Sequence, residues 1–327
     1  MRALLRRLRG HRRRHPQPVI LMYHRIAAPA VDPWGLAVHP DRFEAQLAWL
    51  AAKRAPLSMP EFVRRLQLGS LPDAAIAVTF DDGYADNLEQ AAPRLRAAAV
   101  PATVFLAAGA IGQPREFWWD EVARGILSRR DGLDADVSVD GRPLRLTFEA
   151  MNGADSEADG WRAWQEPRTA RQRSYLDLWR MLRDASADAR DAALSRFREV
   201  TALPPPQQPD LPMAAGDVAR LTRGYGIEVG GHTITHPVLP KLAPHEKRRE
   251  IGDGKRRCEQ LIGSPIDGFA YPHGALDADC RDAVRDSGFK WACGTAHGFV
   301  STTADPFALP RIFVQDWDAA GLEAALS

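Results

Sequence analysis

At 327 residues the chain can hold one large α/β domain with an insertion, or two ordinary domains, and either buries a substantial core. Its 45% hydrophobic and 26% charged residues are the composition of a soluble globular protein, and a formal net charge of +1 excludes a polyanion binder acting through overall charge. Cys258, Cys280 and Cys293 make no CxxC pair, no stretch approaches a membrane span, and Arg interrupts each short apolar run near Met1, so neither a disulfide framework nor a secretory signal is expected. Reduced thiols in a cytoplasmic protein follow from that pattern.

Residues 1–18 read as a basic arm in which Arg2, Arg6, Arg7, Arg9, Arg12, Arg13 and Arg14 all precede the first acidic residue, Asp32. Leu4, Leu5 and Leu8 form an apolar stripe among them. Two readings stand side by side: peripheral contact of residues 1–14 with an anionic membrane at its inner face, and a solvated terminus. A nucleic-acid role would rest on these arginines alone and is not expected.

From residue 19 to residue 112 the pattern is strand, helix, strand, as in a parallel sheet. Val19 to His24 is the first strand and ends on an imidazole. Asp41 to Arg54 carries Phe43, Leu47 and Leu50 at helical spacing, and Ser58-Met59-Pro60-Glu61 resembles a capping box opening a helix through Leu68. The apolar run Ala75 to Phe80 predicts a strand covered on both faces, and Gly83 permits a sharp turn after Asp81 and Asp82. A helix from about Asp86 to Ala99 and a strand from Pro101 to Leu106 follow.

Residues 113–212 break this rhythm as a mostly helical insertion or cap. Asp140-Gly141 predicts a β-hairpin near Val137 to Phe148. Trp161, Trp164 and Trp179 offer either a sugar-stacking platform or the core of an amphipathic cap. Leu203 and the prolines through Pro212 close the insertion as a stiff connector. From 213 to 327 the rhythm resumes: helices at Ala214 to Arg223, Lys241 to Ile262 and Asp277 to Ser287, strands at Gly226 to Val229, Ile266 to Tyr271, Phe289 to Cys293 and Leu309 to Val314, and a last helix capped near Asp318. The strand count is about seven.

Two adjacent carboxylates where a buried strand stops are a natural place for chemistry, although an Asp there is also an ordinary helix cap. His232 and His236 lie four apart directly after another strand, and one helical turn would put both imidazoles on one side. Two His and one carboxylate are a recurrent divalent-metal set that leaves a coordination position free for water.

Thr79-Phe80-Asp81-Asp82-Gly83, His232-Thr233-Ile234-Thr235-His236 and Phe269-Ala270-Tyr271-Pro272-His273-Gly274 together resemble the polysaccharide deacetylase family, the carbohydrate esterases that share the NodB homology domain. The resemblance spans roughly residues 18 to 314. It implies a distorted (β/α) barrel of α/β class interrupted by the insertion. It also implies that Asp82, His232 and His236 bind the metal, that Asp81 is the general base, and that the Tyr271 backbone N–H helps hold the oxyanion. Zinc suits these ligands, and Co²⁺, Ni²⁺ or Fe²⁺ can occupy them as well.

Two departures from the family pattern stand out. Ala270 occupies a position where many members carry an Arg that positions the base, and Arg311 is the candidate replacement. After Phe299 there is no His to protonate the leaving amine, which leaves His24, His273 and His297, with His24 the best placed. The implied function is metal-dependent hydrolysis of an N-acetyl group from an amino sugar, releasing acetate. The substrate class is an N-acetylated saccharide, such as a lipid-linked or nucleotide-linked glycan precursor. The alternatives are a deformylase or other C–N hydrolase, and a catalytically idle saccharide-binding module that keeps its metal.

Overall fold

The computed structural model describes residues 16–151, 160–206 and 210–327; residues 1–15 of the basic arm, and with them the expected membrane contact, lie outside the described residues. The chain forms β1 (Val19–Tyr23), β2 (Arg25–Ile26), β3 (Ala37–Val38), α1 (Pro40–Lys53), β4 (Ala55–Pro56), α2 (Met59–Gln67), β5 (Ala75–Phe80), α3 (Ala92–Ala97) and β6 (Ala102–Leu106). The insertion supplies α4 (Trp118–Leu127), β7 (Leu133–Val139), β8 (Arg142–Phe148), α5 (Ala170–Asp184) and α6 (Ala187–Thr201). After it come α7 (Ala215–Tyr225), β9 (Glu228–Gly231), α8 (Pro244–Ile262), β10 (Gly268–Ala270), α9 (Ala278–Asp286), β11 (Trp291–Cys293), β12 (Ile312–Phe313) and α10 (Ala319–Ala325).

β1, β5 and β6 are buried at every residue, so they read as continuous apolar runs where a one-sided strand would alternate. They belong to a sheet ordered β11-β10-β9-β6-β5-β1-β12, all parallel, with β4 paired to the start of β5. Seven strands therefore lie along the path, matching the expected number. The segment before β12 bridges back to β11 at Leu309 and Cys293 while β12 itself pairs with β1, which curls the sheet into the distorted barrel. Only Ile312 and Phe313 of the expected last strand are paired as strand, because Leu309 is used in that closure.

Several local expectations are corrected. Ser58 caps α2 by accepting from the Glu61 N–H at 3.4 Å, but Glu61 does not complete a capping box; its carboxylate is held by Arg64 and Arg65 one turn on. The helix expected from Asp86 opens as a π-turn over Asn87–Ala91 before α3. Pro93 sits at that handover, where it has no N–H to give to an α-helical bond. The predicted hairpin is present and longer, β7 and β8 joined by Asp140 and Gly141 with φ of 53° and 73°, the left-handed pair of a type I′ turn.

The insertion packs a core of its own. Phe117, Trp118, Val122, Ile126, Val137, Leu146, Tyr175, Leu178, Leu182 and Phe197 cluster with Tyr84 and Ala107 of the barrel. Each such burial contributes roughly 1.5–3 kcal/mol, so the insertion is fixed as a roof and not left as a loose loop. Its return strand is stitched down as well: the Ala85 N–H donates to Leu211 O and the Met213 N–H to Gly83 O, immediately after the carboxylate pair.

Candidate metal and catalytic site

In the parallel barrel every strand delivers its C-terminal end to one rim, so residues distant in sequence converge there. β5 leads directly into Asp81 and Asp82, and β9 into His232. Asp82 Oδ1 lies 3.5 Å from His232 Nε2 and 3.4 Å from His236 Nε2. One ligand atom from each of the three falls within 4.8 Å of the others. Asp82 Oδ1 is buried and accepts no hydrogen bond, and burial followed by the charge of Asp81 pushes the Asp82 carboxyl well above its ordinary range. A cation between the three groups would satisfy that oxygen and relieve the repulsion, so the donor set fits a divalent metal.

His232 Nδ1 lies 2.7 Å from Ala270 O. A carbonyl only accepts, so the proton sits on Nδ1 and the Nε2 lone pair is left for a ligand. The helical turn expected between the two histidines is absent. Thr233 and His236 have φ of 66° and 56°, and the segment is a loop. Glu250 of α8 holds it, accepting from the N–H groups of Ile234 and Thr235 at 2.9 Å each and from the Thr235 hydroxyl at 2.8 Å. Of the seven non-glycine residues with positive φ among the described residues, Asp82, Thr233, His236 and His273 are in the site. Strain of this kind persists only where the surroundings over-determine it.

Asp81 is bound differently. Arg311 Nη1 and Nη2 donate to its two oxygens at 2.7 Å each, while Nε donates to Gly294 O at 2.9 Å. Burial raises the Asp81 carboxyl, but Arg311 and then His232 outweigh it and hold it at about 2. Ala270 is fully buried and carries no guanidinium; the one that holds Asp81 comes from Arg311, just before β12.

His24 lines the same cavity, its Nδ1 buried without a partner and its ring edge-on to Phe313 at 5.5 Å. Burial lowers it to about 4, the pull of Asp81 only partly opposing. Tyr271 does not serve as expected. Its N–H donates to Cys293 O at 3.1 Å in the β10–β11 ladder and its hydroxyl to Phe307 O at 3.0 Å, so neither donor is free. Two residues on, His273 lines the cavity, and its N–H has no protein acceptor among the described residues. His297 is exposed and outside the cavity.

The cavity has a volume of about 640 Å³, and Trp34, Trp119, Trp164 and Trp179 line it together with Phe313 and Gln315. The three insertion tryptophans divide. Trp161 is core, its Nε1 donating to Glu166 O, whereas Trp179 and the 52% exposed Trp164 face the cavity. Trp34 and Trp119 were not foreseen. Trp119 packs on His236 with ring centroids 4.8 Å apart, and its place in Phe117-Trp118-Trp119 was the available signal.

Comparison with known proteins agrees with this fold. The family model for polysaccharide deacetylases matches residues 69–129 and 210–292 and leaves out most of the insertion. YxkH of Bacillus subtilis (strain 168), named as a polysaccharide deacetylase, is 35% identical over 297 residues, covering 90% of this chain and 70% of that protein. The fold is that of Streptococcus pyogenes deacetylase PplD in complex with acetate, with a TM-score of 0.60, 17% identity and coverage of 95% and 99% of the two chains. IcaB from Ammonifex degensii gives 0.57 at 17% identity over 95% and 98%. A de-N-acetylase from Aggregatibacter actinomycetemcomitans gives 0.56 at 12% over 94% and 99%. With so similar a relative along most of its length, the chain belongs to the polysaccharide deacetylase family.

Proposed function

We propose that the protein hydrolyses the N-acetyl group of an amino sugar in a saccharide or glycan precursor, releasing acetate, and that Asp82, His232 and His236 hold the divalent metal it uses. One observation carries this reading: the metal set leaves Asp81 spare, and Arg311 fixes that spare carboxylate in its anionic form beside it. A divalent cation held there supplies Lewis acidity, lowering the pKa of an attacking water.

The remaining work falls to the chain's own side chains. Asp81 accepts the proton of the attacking water. Its low proton affinity favours passing that proton on to the leaving amine, so a separate C-terminal His is not required. His24, uncharged at neutral pH, borders the same space and offers a second relay. The N–H of His273 takes the oxyanion role that Tyr271 cannot fill. Trp164 and Trp179 present apolar ring faces of the kind pyranose rings stack upon.

The test is acetate release from a panel of N-acetylated oligosaccharides and of lipid-linked and nucleotide-linked sugars. It compares metal-reconstituted wild type, Asp81→Asn and chelator-treated protein. Wild type should release acetate, Asp81→Asn should bind metal without turnover, and the chelated protein should be idle. Full activity after chelation, or no release by metal-loaded wild type, sinks the reading.

A further inference from the structure

A second cavity, of about 370 Å³, lies behind the metal loop, between α4, α6 and residues 234–236. Arg190 of α6 lines it. This arginine is 5% exposed, yet no carboxylate pairs with its guanidinium among the described residues. Nη2 donates to Thr235 O at 2.7 Å, one residue from His236, and Nη1 is buried with no partner. The Trp118 ring lies 5.7 Å from the guanidinium carbon, a weak substitute for a counter-ion. A buried cation left in this state is costly unless something neutralises it.

Three of the acids near it are engaged elsewhere. Glu250 is taken up by the 234–235 loop, Glu121 pairs with Arg198 at 2.6 Å, and Glu116 pairs with Arg124 at 2.5 Å. Asp191, the neighbour of Arg190 on α6, lines the cavity too, but it is exposed and forms no ion pair with Arg190 among the described residues. Two more donors on the same cavity are likewise unmatched: Trp118 Nε1 and His236 Nδ1 are buried and partnerless. The two ligand histidines thus differ. His232 has the Ala270 carbonyl behind it, and His236 has no acceptor behind it. A histidine that binds metal through Nε2 normally donates its other N–H to an oxygen.

We propose that this cavity binds a small oxyanion, of the sulfate, phosphate or carboxylate class, seated on Arg190 Nη1 and completed by the neighbouring ring N–H groups of Trp118 and His236. The anion neutralises the buried guanidinium and supplies the oxygen His236 lacks, holding that ring with Nε2 towards Asp82. The site belongs to the insertion, since Arg190 and Trp118 are insertion residues. It stands apart from the proposed reaction, because the metal-free chain already contains every donor.

Selenate is the probe, used on the metal-free full chain. Calorimetric titration should show one saturable site in wild type, weakened by at least about tenfold in Arg190→Met, the loss of one charge-assisted hydrogen bond. Crystals of wild type soaked in selenate should show a selenium anomalous peak within hydrogen-bond distance of the Arg190 guanidinium. If Arg190→Met fails to fold by circular dichroism, the wild-type crystal alone decides. Unsaturable binding, equal affinity in a folded Arg190→Met, or an anomalous map with this cavity empty each overturns the proposal.

Discussion

Arg311 grips both carboxylate oxygens of Asp81 at 2.7 Å across 230 positions of sequence, and the two side chains are buried together. Removing the guanidinium leaves burial, which raises the carboxyl, opposed mainly by His232. In Arg311→Met, Asp81 should therefore protonate at higher pH and lose the two bonds that aim its carboxylate. We expect kcat/KM to fall by about 10²–10⁴ with the metal still bound, and stability to fall by about 3–5 kcal/mol. In wild type the depressed Asp81 stabilises the fold fully above its ordinary pKa of 3.8, and that contribution is lost as pH falls through about 2. The pH profile of kcat/KM and metal titration of both proteins check this; an unchanged profile in Arg311→Met would remove the positioning role.

Trp164 and Trp161 stand three residues apart and should respond oppositely. Trp164→Ala removes an exposed ring from the cavity and should raise KM by roughly 2- to 10-fold with stability unchanged. Trp161→Ala hollows the insertion core and should cost about 3–5 kcal/mol. Steady-state kinetics beside thermal melts separate the two.

Asp277 caps α9, accepting from the Cys280 N–H at 2.7 Å, and takes a second bond from Lys247 Nζ at 3.1 Å. Burial raises this carboxyl, but the Cys280 bonds and Lys247 outweigh it and bring it to about 2. Asp277→Ala should lose about 1 kcal/mol at neutral pH. Because the folded pKa is depressed, the gap between variant and wild type should persist above 3.8 and close as pH falls through about 2. Urea midpoints measured along that range read it directly, and a gap that widens on acidification contradicts the assignment.

Gly254 lets α8 touch the metal loop. A Cβ there would stand 3.0–3.1 Å from the Thr233 backbone. Gly254→Ala should cost about 1–3 kcal/mol and, by pushing the loop that carries His232 and His236, weaken metal binding by about tenfold. Gly216 of α7 has open space around it, so Gly216→Ala should be neutral or slightly stabilising. Metal competition titrations on the two variants should diverge.

The primary structure alone determined the parallel βα rhythm, the carboxylate pair at the end of β5 and the two histidines after β9. These are local matters: continuous apolar runs make buried strands, and a parallel barrel sends every strand end to one rim. Tertiary structure decided what depends on partners from elsewhere. The Tyr271 N–H is consumed by β11, the His232–His236 segment is a loop because Glu250 and Gly254 of α8 hold it, and Trp161 and Trp164 part company at the surface of the insertion core. Whether a backbone donor is free, or a ring is wall or core, is set by which distant segment arrives beside it, and no spacing along the chain encodes that arrival.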